Sequence, residues 1–204
     1  MDLLFYIDMA FLKLRDWIDV DKLNWGRLSE NPSAIELLMA NPYEIDWKVL
    51  SRNPNAIELL TAKQCNIDWS GLSSNSNAIE LLTANQHKID WEWLSGNPSA
   101  MELLIANQDK INWFDLSRNP NAMELLTANQ DKINWCGLSM NLDTSYPIAR
   151  SANPSAMKLL TANQDKIDWG WLSMNLDTSY PIAHSANPSA MELLTANQDK
   201  INWN

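Results

Sequence analysis

Residues 89–113 read IDWEWLSGNPSAMELLIANQDKINW, opening on Ile89-Asp90-Trp91 and closing on Ile111-Asn112-Trp113. The return to the same three letters is not confined to this stretch. Trp25, Trp47, Trp69, Trp91, Trp113 and Trp135 each follow the last by 22 residues, and Trp169 and Trp203 each follow by 34. A fixed period of this size is the signature of a repeat architecture. Counting Trp as position 1, Leu holds position 4 from Leu28 to Leu172, and Ser and Asn hold positions 5 and 7 in the same units. The remainder of each circuit is Pro, a variable residue, Ala, Ile or Met, Glu, Leu, Leu, a variable residue, Ala, Asn, three variable residues, Ile, and Asp or Asn.

Within a circuit two helices are expected. The longer starts at Asn-Pro, as at Asn97-Pro98, because Asn accepts an orphan backbone N–H at the N-cap and Pro loses nothing at the first helical position. It runs through AMELLIA to Asn107, a residue that tolerates the left-handed conformation past a helix end. The shorter starts at the Asp or Asn before each Trp and lasts about five residues, so a 3₁₀ turn is an option for it. Ordering the backbone costs roughly 1–2 kcal/mol per residue, more than one circuit's few apolar side chains return at about 1.5–3 kcal/mol each. Stability must therefore come from neighbouring circuits. The expected fold is an all-α solenoid of about seven repeats, its Trp and Leu columns turned inward as core.

Three regions organise the chain. Residues 1–20 do not match the repeat and read as an N-terminal capping helix, with Leu3, Leu4, Ile7, Phe11 and Leu14 on one stripe. Residues 21–135 carry the regular 22-residue repeats, and 136–204 carry two 34-residue repeats in the same continuous solenoid. The copies 136–169 and 170–203 differ at five positions, and each contains a 12-residue insert, LDTSYPIARSAN or LDTSYPIAHSAN. Asp143 and Thr144 give the first insert its own capping signal, so an added helical turn or a protruding loop is expected there. The chain stops at Ile201-Asn202-Trp203-Asn204 with no polar terminal helix, and this end is expected to pair with a partner or a second copy.

The formal charge of -10 and pI near 4.5 argue against a nucleic-acid partner, whose binding relies on Lys and Arg releasing counterions. An anionic membrane surface is disfavoured on the same ground, and a basic protein partner is admitted. The first residues carry Asp2 and Asp8 and no basic leader, and no stretch reaches the ~18 uncharged apolar residues of a membrane span. Cys65 and Cys136 lack a disulfide pattern. The expected location is intracellular, in the cytoplasm, or in the host cytoplasm or virion if the gene is viral.

The elements Leu-Ser-x-Asn-Pro-x-Ala-Ile-x-Leu-Leu-x-x-Asn-Pro, present as LSENPSAIELLMANP from Leu28 to Pro42, resemble the leucine-rich variant repeat. The resemblance covers most of residues 21–204 and implies a right-handed superhelix of alternating α and 3₁₀ helices. The unit here is slightly shorter, Trp stands where that family has a small aliphatic residue, and the iron–sulfur cysteine cluster of one member has no counterpart. The Asn-rich WxxLSxNPxAIxLL form also resembles repeat proteins encoded by giant DNA viruses. Neither resemblance implies an active site.

Two columns invite a chemical reading. Position 19 holds Tyr43, Cys65, His87, Asp109 and Asp131, a sequence of nucleophile, base and acid. Packed helices stand about 8–10 Å apart, beyond the ~3 Å reach of a working pair, so no catalytic residue is assigned. Zinc would want four ligands where Cys65, His87 and Asp109 offer three, and no metal or cofactor site is assigned either. Glu36, Glu58, Glu80, Glu102, Glu124 and Glu192 read as a solvated face, with a lysine column (Lys88, Lys110, Lys132, Lys166, Lys200) offsetting them. Variation is more informative at positions 2, 3 and 6 of the short helix, where Trp93, Phe114 and Trp171 interrupt small or polar residues. Aromatic and Arg side chains are favoured interface anchors. The residues expected to contact a protein partner are Arg52, Glu92, Trp93, Phe114, Asp115, Arg118 and Trp171. The function expected is a non-enzymatic protein-binding scaffold, with a structural or virion component assembling end to end as the alternative.

Overall fold

Asn24, Asp46, Asp68, Asp90 and Asn112 sit in extended backbone just before a Trp, and each side-chain oxygen accepts a backbone N–H two or three residues on. These caps start the short helices, satisfying donors that a helix N-terminus leaves orphaned. The computed structural model describes residues 19–140, 154–174 and 188–200, and its described residues contain helices and turns with no strand. The N-terminal segment 1–18, the inserts at 142–153 and 176–187, and the C-terminal residues 201–204 lie outside the described residues.

The chain divides into two compact units, Met1–Ile89 and Asp90–Asn204. The first holds α1 (Trp25–Glu30), α2 (Ile35–Ala40), α3 (Trp47–Leu50), α4 (Ile57–Ala62), α5 (Trp69–Ser73) and α6 (Ile79–Ala84). The second holds α7 (Trp91–Ser95), α8 (Met101–Ala106), α9 (Trp113–Arg118), α10 (Met123–Ala128), α11 (Trp135–Met140), α12 (Pro154–Ala162), α13 (Trp169–Met174) and α14 (Pro188–Ala196). Short helices pack on short helices: α1 against α3 in the first unit, and α7, α9, α11 and α13 in series in the second. Longer helices do likewise, with α12 between α10 and α14. This is a helical repeat solenoid in which each circuit adds one helix to each of two rows.

The core is aliphatic. Leu50, Leu72, Leu94, Leu116, Leu138 and Leu172 from the short helices and Leu38, Leu60, Leu82, Leu104, Leu126 and Leu160 from the longer ones have no exposed surface. A column of Ala (Ala34, Ala56, Ala78, Ala100, Ala122, Ala156) lets the backbones approach, and Ile45, Ile67, Ile89, Ile111, Ile133 and Ile167 close the third side. The tryptophans are not in this core: Trp25, Trp47, Trp69, Trp91, Trp113, Trp135 and Trp169 are all half-buried. The indole is too large for a column that places an identical residue in every circuit, and it lies at the edge instead.

Polar residues lock one circuit to the next. Ser29, Ser51, Ser73, Ser95, Ser117 and Ser139 at position 5 are fully buried, while Ser173 is half-buried. In Ser95 the hydroxyl donates to the Trp91 carbonyl at 2.6 Å and accepts at 3.0 Å the N–H of Asn112, the residue that caps the next short helix. Ser29, Ser51 and Ser117 accept from Asp46, Asp68 and Asn134 in the same way. Asn53, Asn75, Asn97 and Asn119, two residues later, are buried as well, and the amide reaches back: Asn75 donates to the carbonyls of Ser51 and Asn53, and Asn119 to those of Ser95 and Asn97. Ser139 accepts from Asp168 N–H at 3.3 Å across the first insert, so the register resumes on its far side.

Two expectations about local structure need correction. Helix α8 begins at Met101, not Pro98, because Asn97 Oδ1 accepts from Ser99 N–H and the Asn97 carbonyl accepts from Ala100 N–H, closing a separate turn first. Only α12 and α14, which follow the inserts, start at Pro. The Asn after the longer helix is not left-handed. Asn107 has φ of -134° and ends the helix by donating its side-chain amide to the Leu103 carbonyl at 2.9 Å. Of the two forms left open for the short helix, it takes the α form, and 3₁₀ geometry is found at Pro32–Ala34 and in a third element, the turns Gln64–Asn66, Gln86–Lys88, Gln108–Lys110, Gln130–Lys132, Gln164–Lys166 and Gln198–Lys200.

Candidate partner-binding face

The caps and the buried Leu turn positions 2 and 3 of each short helix away from the Leu core, with Gly71 and Gly137 at position 3 buried against the preceding circuit. In the second unit this exposes Trp93 on α7, Phe114 on α9 and Trp171 on α13, with 46%, 39% and 40% of their surface open. The neighbouring helices α7 and α9 bring together Glu92, Trp93, Phe114, Asp115 and Arg118. Their order alternates, acidic then aromatic on α7 and aromatic then acidic on α9. Trp171 lies on α13, separated from them in the row by α11. Arg52 lies in the first unit, just past α3.

Part of the variation along this row is internal packing. Position 6 of one circuit meets position 3 of the next, and the pairs are complementary in volume. A Cβ added to Gly71 would fall 3.1 Å from Arg52 Cγ and 2.9 Å from Asp68 Oδ2, and one added to Gly137 would fall 2.8 Å from the Phe114 carbonyl oxygen, 3.2 Å from Ser117 Cβ and 3.5 Å from Arg118 Cγ. Gly96 reverses the order, with its added Cβ 4.0 Å from Asp115 Cβ. The long stems of Arg52 and Arg118 therefore cover the next circuit's glycine. Arg118 has a second engagement: its guanidinium carbon lies 5.9 Å from the centre of the Phe114 ring, within cation–π range.

Electrostatics on α7 and α9 is unbalanced toward negative charge. Partial burial, with Glu92 and Asp90 nearby, raises the Asp115 carboxyl above its ordinary value against the opposing pull of Arg118. Further along the row, burial and the adjacent Asp168 push the Cys136 thiol up.

The second regular feature is a Trp–Lys column that the sequence reading missed. Lys88, Lys110, Lys132, Lys166 and Lys200 do not neutralise the Glu column. Each ammonium sits 4.6–5.1 Å from the ring centre of the Trp that opens its own circuit, at Trp69, Trp91, Trp113, Trp135 and Trp169. The signal was available: Lys follows Trp by 19 residues in the regular circuits, and Glu44 and Asn66 stand at that offset from Trp25 and Trp47. Glu36, Glu58, Glu80, Glu102, Glu124 and Glu192 are exposed. So are Tyr43, Cys65, His87, Asp109 and Asp131. Among the described residues no group of three or more His, Cys, Asp or Glu side chains is placed to hold a metal ion, and no helix is long and apolar enough to cross a membrane.

Fold and face together define a helical repeat protein that carries its variable side chains on one row of short helices. No protein-family model, curated protein or solved structure matches the chain.

Proposed function

We propose that this protein is a non-enzymatic scaffold that binds a protein partner through the short-helix row of its second unit. The observation that carries this reading is the exposure of Trp93, Phe114 and Trp171 on helices held by a recurring Leu and Ser and by an Asp or Asn cap. A large apolar side chain held open on a rigid element is the kind of anchor that dominates interface energies. The repeat supports the same reading, since packing sets the fixed positions and leaves the outer ones to distinguish one surface from another.

Trp93→Ala and Phe114→Ala test this directly. Both variants are expected to keep the helical circular dichroism spectrum of the parent and to lose the partner that the parent captures from lysate, identified by cross-linking and mass spectrometry. Undiminished capture by both would remove this face from the reading.

A further inference from the structure

Resting on the scaffold reading, we propose that the patch formed by Glu92, Trp93, Phe114 and Asp115 receives an arginine-bearing segment of the partner, one guanidinium seated against Trp93 between the two carboxylates.

Charge complementarity argues for this occupant. Two carboxylates stand on adjacent helices, Glu92 on α7 and Asp115 on α9, and partial burial, followed by the charge of Glu92, raises the Asp115 carboxyl. Each is flanked on its own helix by an exposed aromatic ring. A neutral apolar partner would cover the rings and strand the carboxylates away from water, which is costly. An acidic partner would add repulsion. A cation with a flat apolar face meets both demands, pairing with carboxylate oxygens while stacking on the indole.

The chain shows this chemistry in its own contacts. Arg118 places its guanidinium over Phe114 and draws on Asp115, which is half of the patch in use by an internal arginine. The five Lys–Trp pairs repeat the same choice of cation over indole elsewhere in the fold. Trp93 is an additional indole, outside the regular Trp column, and it has Glu92 beside it in sequence. Arginine is preferred to lysine because a planar guanidinium can stack and form two parallel hydrogen bonds together.

The test uses the full chain and three labelled amphipathic peptides that alternate leucine with arginine, lysine or glutamate, read by fluorescence anisotropy. The arginine peptide is expected to bind most tightly, the lysine peptide several-fold more weakly, and the glutamate peptide not at all. Trp93→Ala should weaken arginine-peptide binding by about tenfold, in the range of a desolvated cation–π contact together with its packing. Glu92→Gln, an isosteric change on an exposed side chain, should weaken it about threefold and reduce its salt dependence. Equal binding by the parent and both variants would mean that the peptide follows net charge alone, and the inference would fall. It would also fall if the arginine peptide does not bind, or binds no better than lysine. If Trp93→Ala abolishes partner capture from lysate while the arginine peptide neither binds nor competes, the scaffold reading stands and the cationic occupant is wrong. Loss of neither capture nor peptide binding on that substitution defeats both.

Discussion

Asp115 and Cys136 report how crowding on the short-helix row alters single side chains. The folded state holds a proton on Asp115 more readily than the unfolded chain does, so in the window just above the ordinary value of 3.8 the native state binds more protons. Its contribution to stability is then present at low pH and lost as pH rises through the raised value. Asp115→Asn should flatten the stability profile in that window, as measured by denaturant unfolding at a series of pH values; an unchanged slope would show that Asp115 is not the group responsible. The thiol of Cys136 is half-buried and held protonated by burial and by Asp168, whereas Cys65 is exposed. A maleimide pulse at neutral pH should label Cys65 well before Cys136, since the thiolate is the reacting species. Asp168→Asn should speed the labelling of Cys136 while retaining the helix cap, because Asn fills the same position at Asn112 and Asn134. Peptide mass spectrometry distinguishes the two sites, and faster labelling of Cys136 in the parent would contradict this account.

At the scale of elements, glycine and serine set how closely the short helices approach. Gly137 lies where a Cβ would press on the backbone of α9 at 2.8 Å. Backbone cannot swing aside as a side chain can, so Gly137→Ala should destabilise by about 1–3 kcal/mol, the range for overpacking. Gly96→Ala is the matched control: its nearest neighbours would stand at 3.7 and 4.0 Å, and its φ of -81° suits any residue. That change should be neutral or stabilise by up to about 1 kcal/mol. Ser117→Ala removes the acceptor of Asn134 N–H and a donor to the Trp113 carbonyl, and should cost about 1–3 kcal/mol. Thr127→Ala removes an exposed hydroxyl bonded within its own helix and should change stability by less than about 0.5 kcal/mol. Urea unfolding midpoints for the four variants decide these cases.

The same elements show what the sequence made readable. The period, the capping Asp or Asn before Trp, and the Leu and Ala columns follow from rules that act within a few residues, and they lie where those rules place them. The longer helix began later than expected because Asn97 has two claims on it, one local and one across the stack, and the second is invisible in a single circuit. The Trp column was misplaced for a related reason. Hydrophobicity favours burying an indole, but a column with the same bulky ring in every circuit must fit a fixed spacing, and the lysine 19 residues on supplies a cover at the edge. At the candidate face, Trp93 and Phe114 were legible as large side chains at small positions. The pairing of Arg118 with Gly137 was not, because it depends on which positions of adjacent helices meet.

At the scale of the whole molecule, stability depends on contacts between consecutive circuits. The Asn amide joins one circuit to its immediate neighbour, and short helix packs on short helix across the same boundary, as expected for a chain whose energy is a sum of repeat and interface terms. Deleting residues 113–134 removes one full circuit and places Trp135 directly after Asn112, a capping residue of the kind that precedes Trp throughout. Ser95 would then meet Asn112 as it does now, and α7 would face α11 through the same set of Leu, Ser and Asn contacts. This deletion should leave helicity per residue unchanged and lower the denaturant dependence of unfolding in proportion to the surface lost. Deleting residues 113–123 removes half a circuit and sets a longer helix where a short one belongs, so Leu and Ser columns fall out of register. That protein should lose cooperative unfolding. If both deletions unfold alike, the circuits are not independent modules and the nearest-neighbour account fails.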